Sequence, residues 1–313
     1  MSYNSDTKKE LTTLATGKKC CQLAQITGFL RFAGSVTLVG GAGIRVQTDS
    51  PAVARLFVQL IKDYFGTKTA LSVLEPMQLQ RSRQYELRIT PDMNSEAILR
   101  ETGILSVKEG SNFVEHRFDQ EIIKKRCCKK AMLRGIFLAA GSITDPAKSY
   151  HLEISNDHEE AAADLVKLIN SFGLKSKIIQ RRGRWVVYLK DGEQIEDFMT
   201  IIGLSSQLFK FQNIRITKDM RNTANRIMNC DKANMDKSLA ASQRQIADIR
   251  FIEQCKGLDF LNAKLRETAV LRLENPEISL DEFRELFDPP LTKSGLNHRL
   301  MKISEIARNI RKD

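Results

Sequence analysis

Six cysteines (Cys20, Cys21, Cys127, Cys128, Cys230 and Cys255) and four histidines (His116, His151, His158 and His298) are the side chains best suited to bind a soft metal or carry redox chemistry. Their spacing argues against a metal framework. Structural zinc sites usually set paired ligands roughly two to four residues apart. Here Cys20-Cys21 and Cys127-Cys128 are adjacent and the histidines are scattered. The thiols read as reduced, small apolar groups, and no metal or other cofactor is expected. Carboxylates are missing from two long stretches: no Asp or Glu occurs from Leu11 through Thr48, or between Ile122 and Thr144. Mg²⁺ takes oxygen ligands, so neither stretch can hold it through carboxylates.

The elements that would position these groups come in two copies. Cys20-Cys21, Gly28 and Gly34-Ser35 recur as Cys127-Cys128, Gly135 and Gly141-Ser142, each 107 positions later. Each copy opens with a helix ending in Ala-Gly-Ser. A hairpin follows, Ser35 to Thr48 with its Gly40-Gly41-Ala42-Gly43 turn, or Ile143 to Ser155 with Asp145-Pro146. The next helix starts at Ser50-Pro51, with Ser as N-cap and Pro at the first turn, or at Asn156 and Glu159, a capping-box pattern. Gly66 and Gly173 suit left-handed caps at its end. A second hairpin spans Lys68 to Thr90, or Lys175 to Lys190, where Trp185-Val-Val-Tyr-Leu189 alternates beside turn residue Gly183. A last helix ends near Gly103 or Gly203. The order is αββαββα, twice. Gly28, Gly34, Gly135, Ala139 and Gly141 allow close backbone approach, so the two opening helices are expected to pack on each other about a pseudo-two-fold axis.

Leu133-Arg-Gly-Ile-Phe-Leu-Ala-Ala-Gly141 and Ile26-Thr-Gly-Phe-Leu-Arg-Phe-Ala-Gly34 resemble the motif of the LAGLIDADG homing endonucleases. The resemblance implies two αββαββα units whose motif helices meet at the two-fold and whose sheets form a saddle over DNA. In that family an acid at the eighth motif position of each copy holds catalytic metal; here those positions are Ala33 and Ala140. Two-metal phosphodiester cleavage needs carboxylate oxygens, so no catalytic residues are expected and the fold reads as a degenerate nuclease. The Cys-Cys pairs, the tract from Asn225-Arg226 to Asn234 and the tract from Pro289-Pro290 to Leu300 are, together, similar to the WhiA family. That resemblance covers essentially the whole chain. It implies a DNA-binding transcription regulator of bacterial sporulation and cell division.

The C-terminal part supports this independently. Ser279-Leu-Asp-Glu282 is a capping box opening a short helix, Leu280 to Leu286. Phe287-Asp288-Pro289-Pro290 must end it, and Thr292 or Ser294 caps a final helix running to about Ile310. With the helix at Leu265 to Leu273 this makes a helix-turn-helix. Leu296, Leu300, Ile303 and Ala307 share the inward face. Thr292, Lys293, Ser294, Asn297, His298, Arg299 and Lys302 are the candidate DNA contacts, with Asn297 suited to adenine and Arg299 or Lys302 to guanine or phosphate. Arg181, Arg182 and Arg184, around the hairpin turn, are secondary candidates for phosphate.

With 49 Lys+Arg against 38 Asp+Glu, a net charge of +11, polyanions are the favoured partners. No apolar run nears the ~20 residues that span a bilayer, and residues 1–17 lack the apolar core of a signal peptide. A cytoplasmic, nucleoid-associated protein is expected. Expected domains are 1–110, the first repeat with an N-terminal extension; 111–216, the second repeat; 217–242, a helical linker with an Asn-rich face; and 243–313, the helix-turn-helix. Since the duplication supplies its own two-fold, a monomer is expected. The expected partner is promoter DNA, with other transcription or division proteins possible. The rival reading is a partner-binding protein of cell division or chromosome segregation with weak, non-specific DNA affinity.

Overall fold

A computed structural model describes residues 2–38, 40–74, 84–108 and 111–312. The chain forms two compact units, Met1–Lys218 and Asp219–Asp313.

In the first unit, α1 (Tyr3–Leu11) precedes α2 (Lys19–Ala33), β1 (Gly34–Thr37), β2 (Gly43–Thr48), α3 (Pro51–Phe65), β3 (Ala70–Leu74), β4 (Gln84–Ile89) and α4 (Ser95–Glu101). A hairpin, β5 (Leu105–Lys108) and β6 (Ser111–Val114), leads to the second copy: α5 (Arg126–Ala140), β7 (Gly141–Ile143), β8 (Leu152–Asn156), α6 (Glu159–Asn170), β9 (Lys177–Arg181), β10 (Arg184–Leu189) and α7 (Gly192–Ile202). Each copy builds a four-stranded antiparallel sheet of the same order, β1-β2-β4-β3 and β7-β8-β10-β9. This is the expected duplicated αββαββα fold. The β5–β6 hairpin was not foreseen, and the turn of the Lys68–Thr90 hairpin lies outside the described residues.

The copies are joined by α2 against α5, and glycine is why they fit. A Cβ on Gly28 would lie 2.4 Å from the Met132 carbonyl oxygen, and one on Gly135 would lie 2.1 Å from that of Gln25. These contacts are two-fold mates, since Met132 and Gly135 lie 107 positions after Gln25 and Gly28. Around the pair runs one continuous core, with Ile26, Phe29, Leu133, Ile136 and Phe137 almost fully buried.

Local signals were mostly realised. Ser50 Oγ accepts from the Val53 amide at 3.4 Å, with Pro51 opening α3, and Gly66 ends it in the left-handed conformation. Arg182 and Gly183 both have positive φ, as a tight two-residue hairpin turn requires. The capping box read at Asn156 does not form. α6 has His158 at its N-cap without a side-chain bond; Asn156 Oδ1 instead accepts from the His158 amide at 2.7 Å, while its amide nitrogen donates to the Arg31 carbonyl. Asn156 therefore spends its side chain on a turn and on the other repeat. Gly173 has positive φ but lies two residues beyond the Ser171 cap.

A carboxylate caps the helix that leaves this unit, α8 (Ser206–Lys256). Glu10 accepts from the Ser205, Ser206 and Gln207 amides at 2.7–2.8 Å. Burial works against its ionisation, yet the three amides hold the carboxyl below its ordinary 4.5. A depressed carboxyl contributes stability above its unfolded value, lost as pH falls through the folded one. Glu10→Ala should therefore lower unfolding free energy by about 1–2 kcal/mol at neutral pH, with the difference from wild type shrinking below pH 4.5. Urea melts at several pH values would measure this; equal midpoints at pH 7 would refute the cap.

In the second unit α8 is followed by α9 (Ala263–Glu274), α10 (Leu280–Arg284) and α11 (Lys293–Ile310). Residues 221–240 of α8, including the Asn-rich tract, are exposed throughout, so that tract packs into no core of either unit. From Ser242 onward the helix is anchored: Ile249 and Ile252 pack with Leu265, Ala269, Ile303 and Ala307. A second cluster joins Phe283, Phe287, Leu296 and Leu300. Arg272 lies between these clusters with 1% exposure. It donates to Gln245 Oε1 at 3.1 Å and to the Ile278 carbonyl at 3.0 Å, with its guanidinium over the Phe283 ring.

Candidate nucleic-acid interface

The α10–break–α11 segment places its side chains as a helix-turn-helix does. Both bonds of the Ser279–Glu282 capping box are made, at 3.2 and 2.9 Å, and the serine contacts hold the Glu282 carboxyl below its usual value. Thr292 Oγ1 accepts from the Gly295 amide at 3.1 Å and starts α11. Leu296, Leu300, Ile303 and Ala307 are buried along one face, as the 3.6-residue period required. The opposite face carries Ser294, Asn297, His298, Met301 and Lys302, all exposed. Among the described residues, Ser294, Asn297 and His298 have no side-chain partner. A groove of about 400 Å³ continues from His298, Met301 and Lys302 to Arg308 and Lys312.

The remaining candidates on this segment have intramolecular roles. Thr292 is the cap. Lys293 pairs with Asp281 at 2.9 Å, which holds that carboxyl below its usual range. Lys302 pairs with Glu305 at 2.9 Å. Arg299 is mostly covered: it lies 3.2 Å from Glu267, approaches the Lys264 carbonyl and Thr268 hydroxyl at 3.4 Å, and stacks over Phe287. It clamps α11 to α9 and points away from the Asn297–His298 face. Met301, 70% exposed on that face, was overlooked because an apolar residue in a helix is read first as core.

The second surface is the concavity of about 800 Å³ between the two sheets. At its floor Ala33-Gly34 and Ala140-Gly141 meet, where α2 and α5 end. No carboxylate sits at the two motif positions. Two carboxylates do line the concavity: Asp49, directly after the first acid-free stretch, and Asp157, farther along the chain from the second. Asp157 is bonded to Arg184 at 2.6 Å, and Asp49 lies in the field of Lys8. Asp145, beside the motif in sequence, lines a different hollow with Tyr3 and Asp6.

Cations on the concave faces are largely matched. Strand register puts Arg45 opposite Arg88, and Gln47 opposite Glu86. Glu86 is buried between them: Gln47 donates to it at 3.0 Å, Arg88 bonds it, and Arg45 lies 3.6 Å away. The Gln47 bond, with those arginines, holds its carboxyl below the usual range despite burial. In the other sheet Arg181 lies 3.9 Å from Glu153, and Arg181 is directly opposite Arg184. Arg182 is in the hairpin turn. The structure thus brings Arg184 to the concavity, with Arg181 opposite it on the neighbouring strand, but gives each a carboxylate.

A duplicated αββαββα unit without motif acids, followed by a helix-turn-helix, defines a degenerate LAGLIDADG-type protein with an appended DNA-binding module. Family models agree part by part: a WhiA N-terminal LAGLIDADG-like domain matches residues 19–105, a WhiA LAGLIDADG-like domain 129–221, and a WhiA C-terminal HTH domain 224–307. Relatives named probable cell division protein WhiA are 42% identical in Alkaliphilus metalliredigens, over 98% of both chains, and 42% identical in Thermoanaerobacter sp., over 99% of this chain and 98% of that one. The crystal structure of full-length WhiA from Thermatoga maritima matches over 99% of both chains with a TM-score of 0.60 at 26% identity. The chain belongs to the WhiA family. Among the described residues, no helix is long and apolar enough to cross a membrane.

Proposed function

We propose that this protein is a non-catalytic, sequence-specific DNA-binding regulator that reads base edges with α11. The observation that carries this is the row Ser294, Asn297, His298 and Met301. It is exposed, opposite the buried face, and, among the described residues, unpartnered at its polar positions. Asn pairs with adenine through two hydrogen bonds, and an exposed apolar side chain suits the thymine methyl. Thr292 and Lys293, at the positive N-terminal end of α11, lie where such helices meet phosphate. The promoters read include those of cell-division genes, in keeping with the names of the relatives. The duplicated unit adds little DNA affinity, because Arg45, Arg88, Arg181 and Arg184 already face Glu86, Glu153 and Asp157. It acts as a docking platform.

Genomic fragments recovered on the intact protein test this at near-physiological salt with Mg²⁺. Wild type should enrich discrete sites. The double variant Asn297→Ala/His298→Ala should lose that enrichment by about 10²-fold, two base contacts at roughly 1–3 kcal/mol each, while keeping salt-sensitive bulk binding. Identical sites for both proteins would remove α11 as the reader. Uniform recovery by both would favour a partner-binding protein of cell division.

A further inference from the structure

The four repeat cysteines converge. The Sγ atoms of Cys20, Cys21, Cys127 and Cys128 all lie within 4.8 Å of one another. Local spacing could not show this, because the two pairs are brought together by the packing of α2 on α5. The thiols obey the pseudo-two-fold: Cys21 lies within 4.8 Å of Cys127 and Cys20 within 4.8 Å of Cys128, and each pairing maps onto the other by the 107-residue offset. The cluster therefore sits on the axis, with half its ligands from each repeat. It occupies the opposite end of the helix pair from Ala33 and Ala140, about 20 Å away along α2 at 1.5 Å per residue.

We infer that these four thiols form a tetrathiolate site for one Zn²⁺ ion, which staples the two repeats at the remote end of the motif helices. Zn–S bonds of about 2.3 Å in a tetrahedron place sulfurs about 3.8 Å apart. The Cys127 and Cys128 Sγ atoms are already 3.9 Å apart, near that edge and well beyond a disulfide bond of about 2.05 Å. Soft thiolate donors in such an arrangement select zinc over hard cations. An iron–sulfur cluster has several irons, each taking its own thiolates, and needs the sulfurs farther apart than a single ion does.

The surroundings suit an anionic centre. A zinc tetrathiolate carries two net negative charges, and the cysteines occupy the first turns of α2 and α5, where unpaired amides and the helix dipole favour negative charge. Neither helix has a side-chain cap or an acid in its first turn. Lys18, Lys19, Lys124, Lys125, Arg126, Lys129 and Lys130 flank the pairs in sequence, and Arg134 interacts with Cys21. Cys127 is exposed and Cys128 buried, so the site has an entry side and an inner wall. On binding, each thiol still protonated releases its proton to solvent, giving the metal tetrathiolate and up to four hydrated protons.

The test uses the full-length chain, reduced and stripped with a chelator, titrated with Co²⁺ and then Zn²⁺. One Co²⁺ per chain is expected, with sulfur-to-cobalt charge-transfer bands and strong visible bands of tetrahedral geometry, bleached by one equivalent of Zn²⁺. Cys20→Ser and Cys127→Ser should each lose the bands, with circular dichroism verifying the fold; Cys230→Ser and Cys255→Ser should keep them. Alkylation of unaltered protein, read by peptide mass, should show Zn²⁺ protecting the four repeat cysteines but not Cys230 or Cys255. Any of three results overturns the proposal: no stoichiometric cobalt spectrum and no zinc protection; a spectrum indifferent to Cys20→Ser and Cys127→Ser; or a purified protein carrying stoichiometric iron and sulfide. Recovery of two cross-repeat disulfides, with no metal uptake after reduction, also overturns it.

Discussion

Replacing Gly135 with alanine should destabilise the first unit by about 2 kcal/mol or more, although alanine is the better helix former. Within a helix the exchange alone gains about 1 kcal/mol. Against it stands a Cβ placed 2.1 Å from the Gln25 carbonyl oxygen, 3.0 Å from its carbon and 3.1 Å from the Phe29 nitrogen. All three are backbone atoms of a packed helix, so relief requires moving α2 from α5 through a core of near-crystalline density, where overpacking costs about 1–3 kcal/mol or more. Gly28→Ala meets the mate contact at 2.4 Å and should behave alike. Gly135→Val should leave little soluble protein, since stabilities of about 5–15 kcal/mol leave small margins. Denaturant melts decide the matter. A midpoint that rises for Gly135→Ala would mean the helices do not cross at this residue.

The second large effect is expected at Arg272. Its guanidinium is buried without a carboxylate partner among the described residues, and burial holds its pKa below the usual arginine range. Arg272→Ala removes bonds that satisfy Gln245 Oε1 and the Ile278 carbonyl, and opens a void beside Phe283. Unsatisfied acceptors cost about 1–3 kcal/mol, and a cavity of this kind adds a comparable amount. A total near 3–4 kcal/mol is a large fraction of the about 5–15 kcal/mol that holds a folded unit. Arg272→Met refills the volume without the bonds and should recover about half. Calorimetry on the intact chain should show the loss in one transition. If alanine and methionine behave equally and mildly, the buried arginine contributes little to joining α8, α9 and α10.

What was legible in the sequence depended on the range of the interaction. Ser50-Pro51, Gly66, the Ser279–Glu282 box and the inward face of α11 are decided within a few residues, and each formed as read. The repeat, and with it the meeting of α2 and α5, was visible because the same signals recur at one offset. Side-chain partners from other elements were not visible. Arg299 looked like an unpaired cation on a recognition helix until Glu267 and Phe287 came beside it from elsewhere. Asn156 looked like a cap until the Arg31 carbonyl of the other repeat claimed its amide. Asp49 and Asp157 line the concavity because each directly follows a strand, β2 or β8, whose residues face it. Adjacent cysteines looked unfit for a metal because ligand spacing was judged along the chain rather than across the axis.

The duplication also has a consequence in time. Because α2 and α5 are partners 107 positions apart, the core of the first unit is closed by contacts of long sequence separation, which form slowly. At roughly 5–20 residues per second, α2 leaves the ribosome about 5–20 seconds before its partner. During that interval the face of α2 around Gly28 lacks the helix it packs against, and another nascent chain can take that place. The helices of the second unit, whose contacts lie closer together in sequence, face no comparable wait.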